Sequence, residues 1–91
     1  MKEVPGLSKV FGMVIAELRK ERGLSQEQLA ESIDSTNVYI SLLENGQRKP
    51  SLNATILIAE SLEIQPDTLV ERVVALLKRG AAGWLRKMKM Q

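Results

Sequence analysis

The chain predicts an all-α fold of five helices, and three observations carry that expectation. Apolar residues recur three and four positions apart in five separate stretches, nothing alternates in the manner of a strand, and the breaks between stretches run two to six residues. The second and third stretches are too short for an up-and-down bundle, whose members match in length, so the helices are expected to cross steeply. Ninety-one residues, 44% of them hydrophobic, close one small core and leave no room for a second domain.

Leu7, Val10, Phe11, Val14, Ile15 and Leu18 share one face, which makes residues 7–22 the first helix. Ser8 or Pro5-Gly6 starts it and Gly23 ends it. Ser25 followed by Gln28 fits a capping box, and Leu29, Ala30 and Ile33 point inward along a short second helix that stops at Asp34. Thr36 or Ser35 caps the third, where Ile40 and Leu43 share a face and Asn45-Gly46 tolerates the left-handed backbone of a helix end. Leu42 and Leu43 are adjacent and cannot both face inward, so one of them reaches outward or towards a neighbouring helix.

After the polar turn QRKP, Ser51 caps a fourth helix with Leu52, Ile56, Ala59 and Leu62 as its inner stripe, widened by Leu57 and Ile58. Pro66 suits the first turn of a fifth helix and Asp67 its positive end, with Leu69, Val70, Val73, Val74 and Leu77 apolar as far as Arg79. One domain over residues 7–79 is therefore expected, followed by a basic tail over residues 80–91 that carries Trp84, Leu85 and Met88.

Charge and composition narrow the function. The net charge is +2, but five of the 13 basic residues fall from Lys78 onward with no acidic residue among them. Residues 1–77 thus hold eight basic and eleven acidic side chains, a net −3, so any affinity for nucleic acid has to come from local placement. With neither histidine nor cysteine, the usual zinc sites and disulfides are excluded, and the serines lack a histidine base. Glycines 6, 12, 23, 46, 80 and 83 form no phosphate loop, and Glu17, Glu21 and Glu31 lie on polar helix faces. No enzyme activity, cofactor or small-molecule ligand is expected. The apolar run VVALL at 73–77 falls far short of the roughly 20 residues that span a bilayer, and MKEVPG lacks the features of a secretion signal. A soluble cytoplasmic protein is the expectation.

The runs GLSQEQLAES, TNVYISLLENG, QRKPSL and LIAESLEI, in this order and at this spacing, resemble the helix-turn-helix domains of the phage repressor and Cro group, the XRE family. The resemblance covers about residues 11–77 and implies a five-helix, lambda-repressor-like domain with a central helix-turn-helix. It implies that the third helix docks in the major groove of double-stranded DNA, as a symmetric homodimer on a palindromic operator. Position by position, Gln26, Asn37, Val38 and Leu42 match the base-reading set. Tyr39, Ser41, Asn45, Gln47, Arg48 and Lys49 match the positions that hold phosphates, and Glu44 lies at the same helix end. The physical chemistry agrees: an asparagine pairs with adenine through both amide atoms, and a valine packs on a thymine methyl. Arg48 and Lys49 neutralise phosphate without reading sequence. Two positions depart from the family pattern, which has glycine where this chain has Asp34 and a buried branched aliphatic where it has Ser35.

Dimerisation needs a surface. Leu69, Val73 and Leu76, extended by Trp84 and Leu85, offer more apolar side chains than so small a core needs and are the expected interface. The alternative is that the first helix covers them within one monomer. Single-domain members of the family resemble controller proteins of restriction-modification systems, Cro-like repressors and antitoxin-side regulators, which makes an autoregulatory transcription regulator the leading expectation. A protein-interaction adaptor, or an antitoxin-type partner on the same scaffold, is the alternative.

Overall fold

A computed structural model of the chain describes residues 1–80. The expectations for Trp84, Leu85 and the rest of the tail lie outside these residues. Five helices follow one another: α1 (Leu7–Glu21), α2 (Gln26–Ser32), α3 (Asn37–Glu44), α4 (Leu52–Ser61) and α5 (Pro66–Gly80). Among the described residues there is no strand.

Each start is fixed locally. Gly6, at φ 77°, turns the chain into α1, and the Leu7 amide donates to the Val4 carbonyl at 3.2 Å. At α2 the capping box is complete: the Gln28 amide donates to Ser25 Oγ at 3.0 Å, and the Ser25 amide donates to Gln28 Oε1 at 2.8 Å. Of the two candidates for α3, Thr36 is the cap, accepting from the Tyr39 amide at 3.1 Å. Ser51 accepts from the Ala54 amide at 3.0 Å, and its carbonyl satisfies the buried Thr55 hydroxyl at 2.8 Å.

The four helix ends that lead into another helix share one device. Leu24, Ser35, Gln47 and Ile64 each donate their amide to a carbonyl five residues back, on Arg19, Ala30, Leu42 and Ala59. The residue before each has a positive φ: Gly23 at 70°, Asp34 at 54°, Gly46 at 73° and Glu63 at 57°. These are Schellman turns, which close the last carbonyls of one helix and aim the chain at the next.

Every helix contributes to one core. Ile15, Leu29, Ile40, Leu43, Ile58, Leu62 and Leu69 are fully buried within it. α1 runs through the middle, packed on α3 along one side and α5 along another. Its approach to α3 is close because position 12 has no side chain: a Cβ on Gly12 would lie 2.2 Å from the Leu43 carbonyl oxygen.

Two sequence expectations change. The inner stripe of α4 is Ala54, Thr55, Ile58, Ala59 and Leu62, whereas Leu52 is 75% exposed, with Ile56 and Leu57 also on the surface. Apolar residues lie on several sides of the helix, so spacing alone leaves more than one stripe open, and packing against α5 and α2 selects the buried one. Leu69 and Val73, expected at a subunit interface, are buried inside the monomer with Leu77, and only Leu76 of that set stays exposed. Helix α1 covers α5 along that side, so the first two residues belong to the core of this chain.

Candidate nucleic-acid interface

The geometry of α2 and α3 follows from the turn between them. Ile33 leaves the helical region, Asp34 takes the left-handed conformation, and the Ser35 amide reaches back 2.8 Å to the Ala30 carbonyl. Thr36 then begins α3 at once, so the two helices meet at a sharp angle and bury Leu29, Ala30, Ile40 and Leu43 between themselves and the core. Of the adjacent leucines, Leu43 is the inner one, leaving Leu42 half-buried.

The opposite side of this unit is open. Gln26 from the start of α2 and Asn37, Val38, Ser41 and Leu42 from α3 line a single shallow hollow of about 250 Å³. Asn37 and Val38 are exposed, Val38 at 69%, while Ser41, Leu42 and Gln26 are half-buried. All four expected base-reading residues, with Ser41, therefore stand together.

A buried ion pair anchors this hollow. Arg19 on α1 donates from Nε to Glu44 Oε2 at 2.7 Å and from Nη2 to Glu44 Oε1 at 3.1 Å, and its Nη1 donates to the Leu24 carbonyl at 2.7 Å. Glu44 also accepts from Gln26 Nε2 at 3.0 Å, which leaves the amide oxygen of Gln26 available on the outer side. Sequence reasoning left Arg19 out. The signal was present, since position 19 falls on the apolar stripe of α1 with Phe11, Ile15 and Leu18.

The phosphate set is more scattered. Tyr39 packs against the core, Asn45 donates from Nδ2 to Ser41 Oγ at 3.4 Å, and Gln47, Arg48 and Lys49 are exposed on the α3–α4 turn. Lys49 pairs with the Glu3 carboxylate. Across residues 23–71 of the sequence the only basic side chains are Arg48 and Lys49, both on that turn, while Arg19 of α1 is held in the ion pair with Glu44 at the end of α3. Among the described residues no group of acidic side chains converges in a way that could hold a metal ion, and no helix is long and apolar enough to cross a membrane.

A helix-turn-helix family model matches residues 15–69 of the chain. Control protein C.BamHI of Bacillus amyloliquefaciens is 35% identical over 63 residues, covering 68% of this chain and 78% of that protein. The restriction-modification controller protein C.AhdI of Aeromonas hydrophila superposes with a TM-score of 0.66 at 39% identity, over 68% of this chain and 94% of that one. The controller protein C.Esp1396I, solved as a tetramer with its natural 35 base-pair operator, superposes with a TM-score of 0.69 at 29% identity, over 76% of this chain and 91% of that one. In longer regulators the matching unit is as little as 12% of the whole protein. With its capped short helices, its Schellman turn between them and an all-α lambda-repressor-like core, the chain belongs to the helix-turn-helix family, in its XRE-type branch.

Proposed function

We propose that this chain is a sequence-specific transcription regulator that binds double-stranded DNA as a homodimer, each copy laying α3 in the major groove of a palindromic operator. The hollow formed by Gln26, Asn37, Val38, Ser41 and Leu42 carries this reading, because it gathers amide groups and methyl groups on one outward surface of a short, well-anchored helix. Asn37 pairs with an adenine edge and Val38 with a thymine methyl, while Leu42 and the amide of Gln26 meet the flanking bases. Tyr39, Ser41, Asn45, Gln47, Arg48 and Lys49 hold the sugar-phosphate strands on either side and set the register.

The work is binding rather than catalysis, and it takes place in the cytoplasm, where bacterial and phage DNA is read. The similarity to restriction-modification controllers supports a regulator that acts on its own operon. Selection of bound duplexes from a random pool at about 0.15 M salt tests the proposal. The expected result is a palindromic winner preferred over scrambled DNA by roughly a thousandfold or more. Binding that merely fades with salt, with no enriched sequence, would sink it.

A further inference from the structure

Two side-chain amides, those of Gln26 and Asn37, line the hollow on the outer surface of α2 and α3. Asn37 is exposed, whereas Gln26 is half-buried and its nitrogen is already committed, donating to Glu44 Oε1 at 3.0 Å. An amide left to itself turns either end outward, since its oxygen and nitrogen ends have nearly the same shape. Gln26 has no such choice. The acceptor behind it is a carboxylate whose side chain is 6% exposed and whose two oxygens also take Arg19 Nε at 2.7 Å and Arg19 Nη2 at 3.1 Å. Arg19 is tied in turn to the Leu24 carbonyl at 2.7 Å, so the carboxylate is fixed from both sides. Turning Gln26 over would set its oxygen against a buried anion and leave that oxygen without a donor.

We propose that Gln26 reads DNA as an acceptor only: its amide oxygen takes a hydrogen bond from the exocyclic amino group of one base, adenine N6 or cytosine N4, and Glu44 is the positioning residue that keeps the nitrogen turned away. This deepens the regulator reading and rests on it. A glutamine free at both ends grips adenine through N6 and N7 together, whereas a carboxylate, an acceptor at both oxygens, takes cytosine N4. Held by Glu44, Gln26 joins the second class without carrying a charge towards the phosphates. On the strand that Gln26 meets, guanine and thymine present acceptors to an acceptor and are disfavoured. An outward oxygen has no proton to offer a phosphate, so this contact goes to a base.

The test places the chemical change in the DNA, where no variant has to fold. The operator selected by the parent chain is titrated with single base-pair changes against the parent chain and Gln26→Ala, and the pair whose preference Gln26→Ala relaxes is the one Gln26 meets. At that pair adenine is replaced by purine, or cytosine by 2-pyrimidinone, each lacking only the amino group. Separately, the purine base of the pair is replaced by its 7-deaza form, which lacks the N7 acceptor. Loss of the amino group should weaken the parent chain about tenfold and Gln26→Ala by less than about threefold, and comparing both proteins on one duplex removes any effect of altered pairing. Loss of N7 should affect the two proteins alike, within about threefold. Glu44→Gln gives the Gln26 amide back its freedom, so its amino-group ratio should fall below about threefold. That ratio is read on one preparation, so the fraction folded does not enter it. If Glu44→Gln does not fold, the parent chain and Gln26→Ala decide.

An amino-group effect equal in the parent chain and Gln26→Ala, or an N7 effect confined to the parent chain, would overturn the proposal. So would an unchanged amino-group ratio in folded Glu44→Gln, or a Gln26→Ala chain that relaxes no base pair while Asn37→Ala relaxes its own. A random pool with no enriched sequence would overturn the regulator reading itself, and this proposal with it.

Discussion

Arg19 on α1 and Glu44 at the end of α3 form a two-pronged ion pair, 2.7 and 3.1 Å long, with side chains only 10% and 6% exposed. Both charges are removed from water, and each needs the other. Glu44→Ala leaves a buried guanidinium with only the Leu24 carbonyl, so it should cost about 3–5 kcal/mol in a urea melt. The double variant Arg19→Met with Glu44→Leu should be more stable than either single change, because neither charge is then stranded. A double variant no better than the singles would show that the pair acts through something other than mutual compensation.

Gly12 is the second fixed point between the same helices. Adding a methyl group there drives it into the Leu43 and Glu44 carbonyls, at 2.2 and 2.6 Å, and backbone atoms of a packed helix cannot swing aside. Gly12→Ala should therefore destabilise by about 3 kcal/mol or more, despite the better helix propensity of alanine. Thermal unfolding followed at 222 nm measures it.

Asp34 sits at φ 54°, where an L residue is strained and glycine is not. Asp34→Gly should raise stability by about 0.5 kcal/mol, the relief of left-handed strain less the extra freedom glycine gains in the unfolded chain. Denaturant melts with matched slopes would resolve this. A lowered midpoint would mean that the carboxylate supports the turn in some further way.

Asn37→Ala and Arg48→Gln should fail differently on DNA. Loss of Asn37 is expected to cost about 1–3 kcal/mol on the selected operator and to relax preference at one base pair. Loss of Arg48 should weaken selected and scrambled duplexes alike and reduce the salt slope by about one. Titrations at several salt concentrations separate the two patterns.

Much of the fold was readable because it is specified locally. Ser25, Thr36 and Ser51 cap helices through groups three residues away, and Gly23 and Gly46 mark two of the four Schellman turns. Asp34 and Glu63 make the other two without a glycine to announce them. The buried face of α4 was half legible: Ile58, Ala59 and Leu62 face inward as expected, whereas Leu52, Ile56 and Leu57 do not, because apolar residues surround the helix and packing against α5 and α2 selects one side. The fate of Leu69 and Val73 and the pairing of Arg19 with Glu44 were hidden for a related reason. Both depend on which helix lies across from them, and the ion pair joins residues 25 positions apart. In the candidate site, the gathering of Gln26, Asn37, Val38 and Leu42 on one outward surface was legible from their positions on a recognisable pair of helices, whereas the bond that orients Gln26 was not.

The exposed side chains of the hollow contribute little to holding the protein together. Val38 is 69% exposed and Asn37 lies in solvent beside it, while the burden of fixing α3 falls on Ile40, Leu43, Glu44 and the glycine opposite them. Variation at positions 37 and 38 is thus nearly neutral for folding. On the regulator reading proposed above, descendants of this sequence would drift from one operator to another by a few substitutions without passing through an unstable ancestor, which would give a lineage of such regulators room to diverge in target while its architecture stays unchanged.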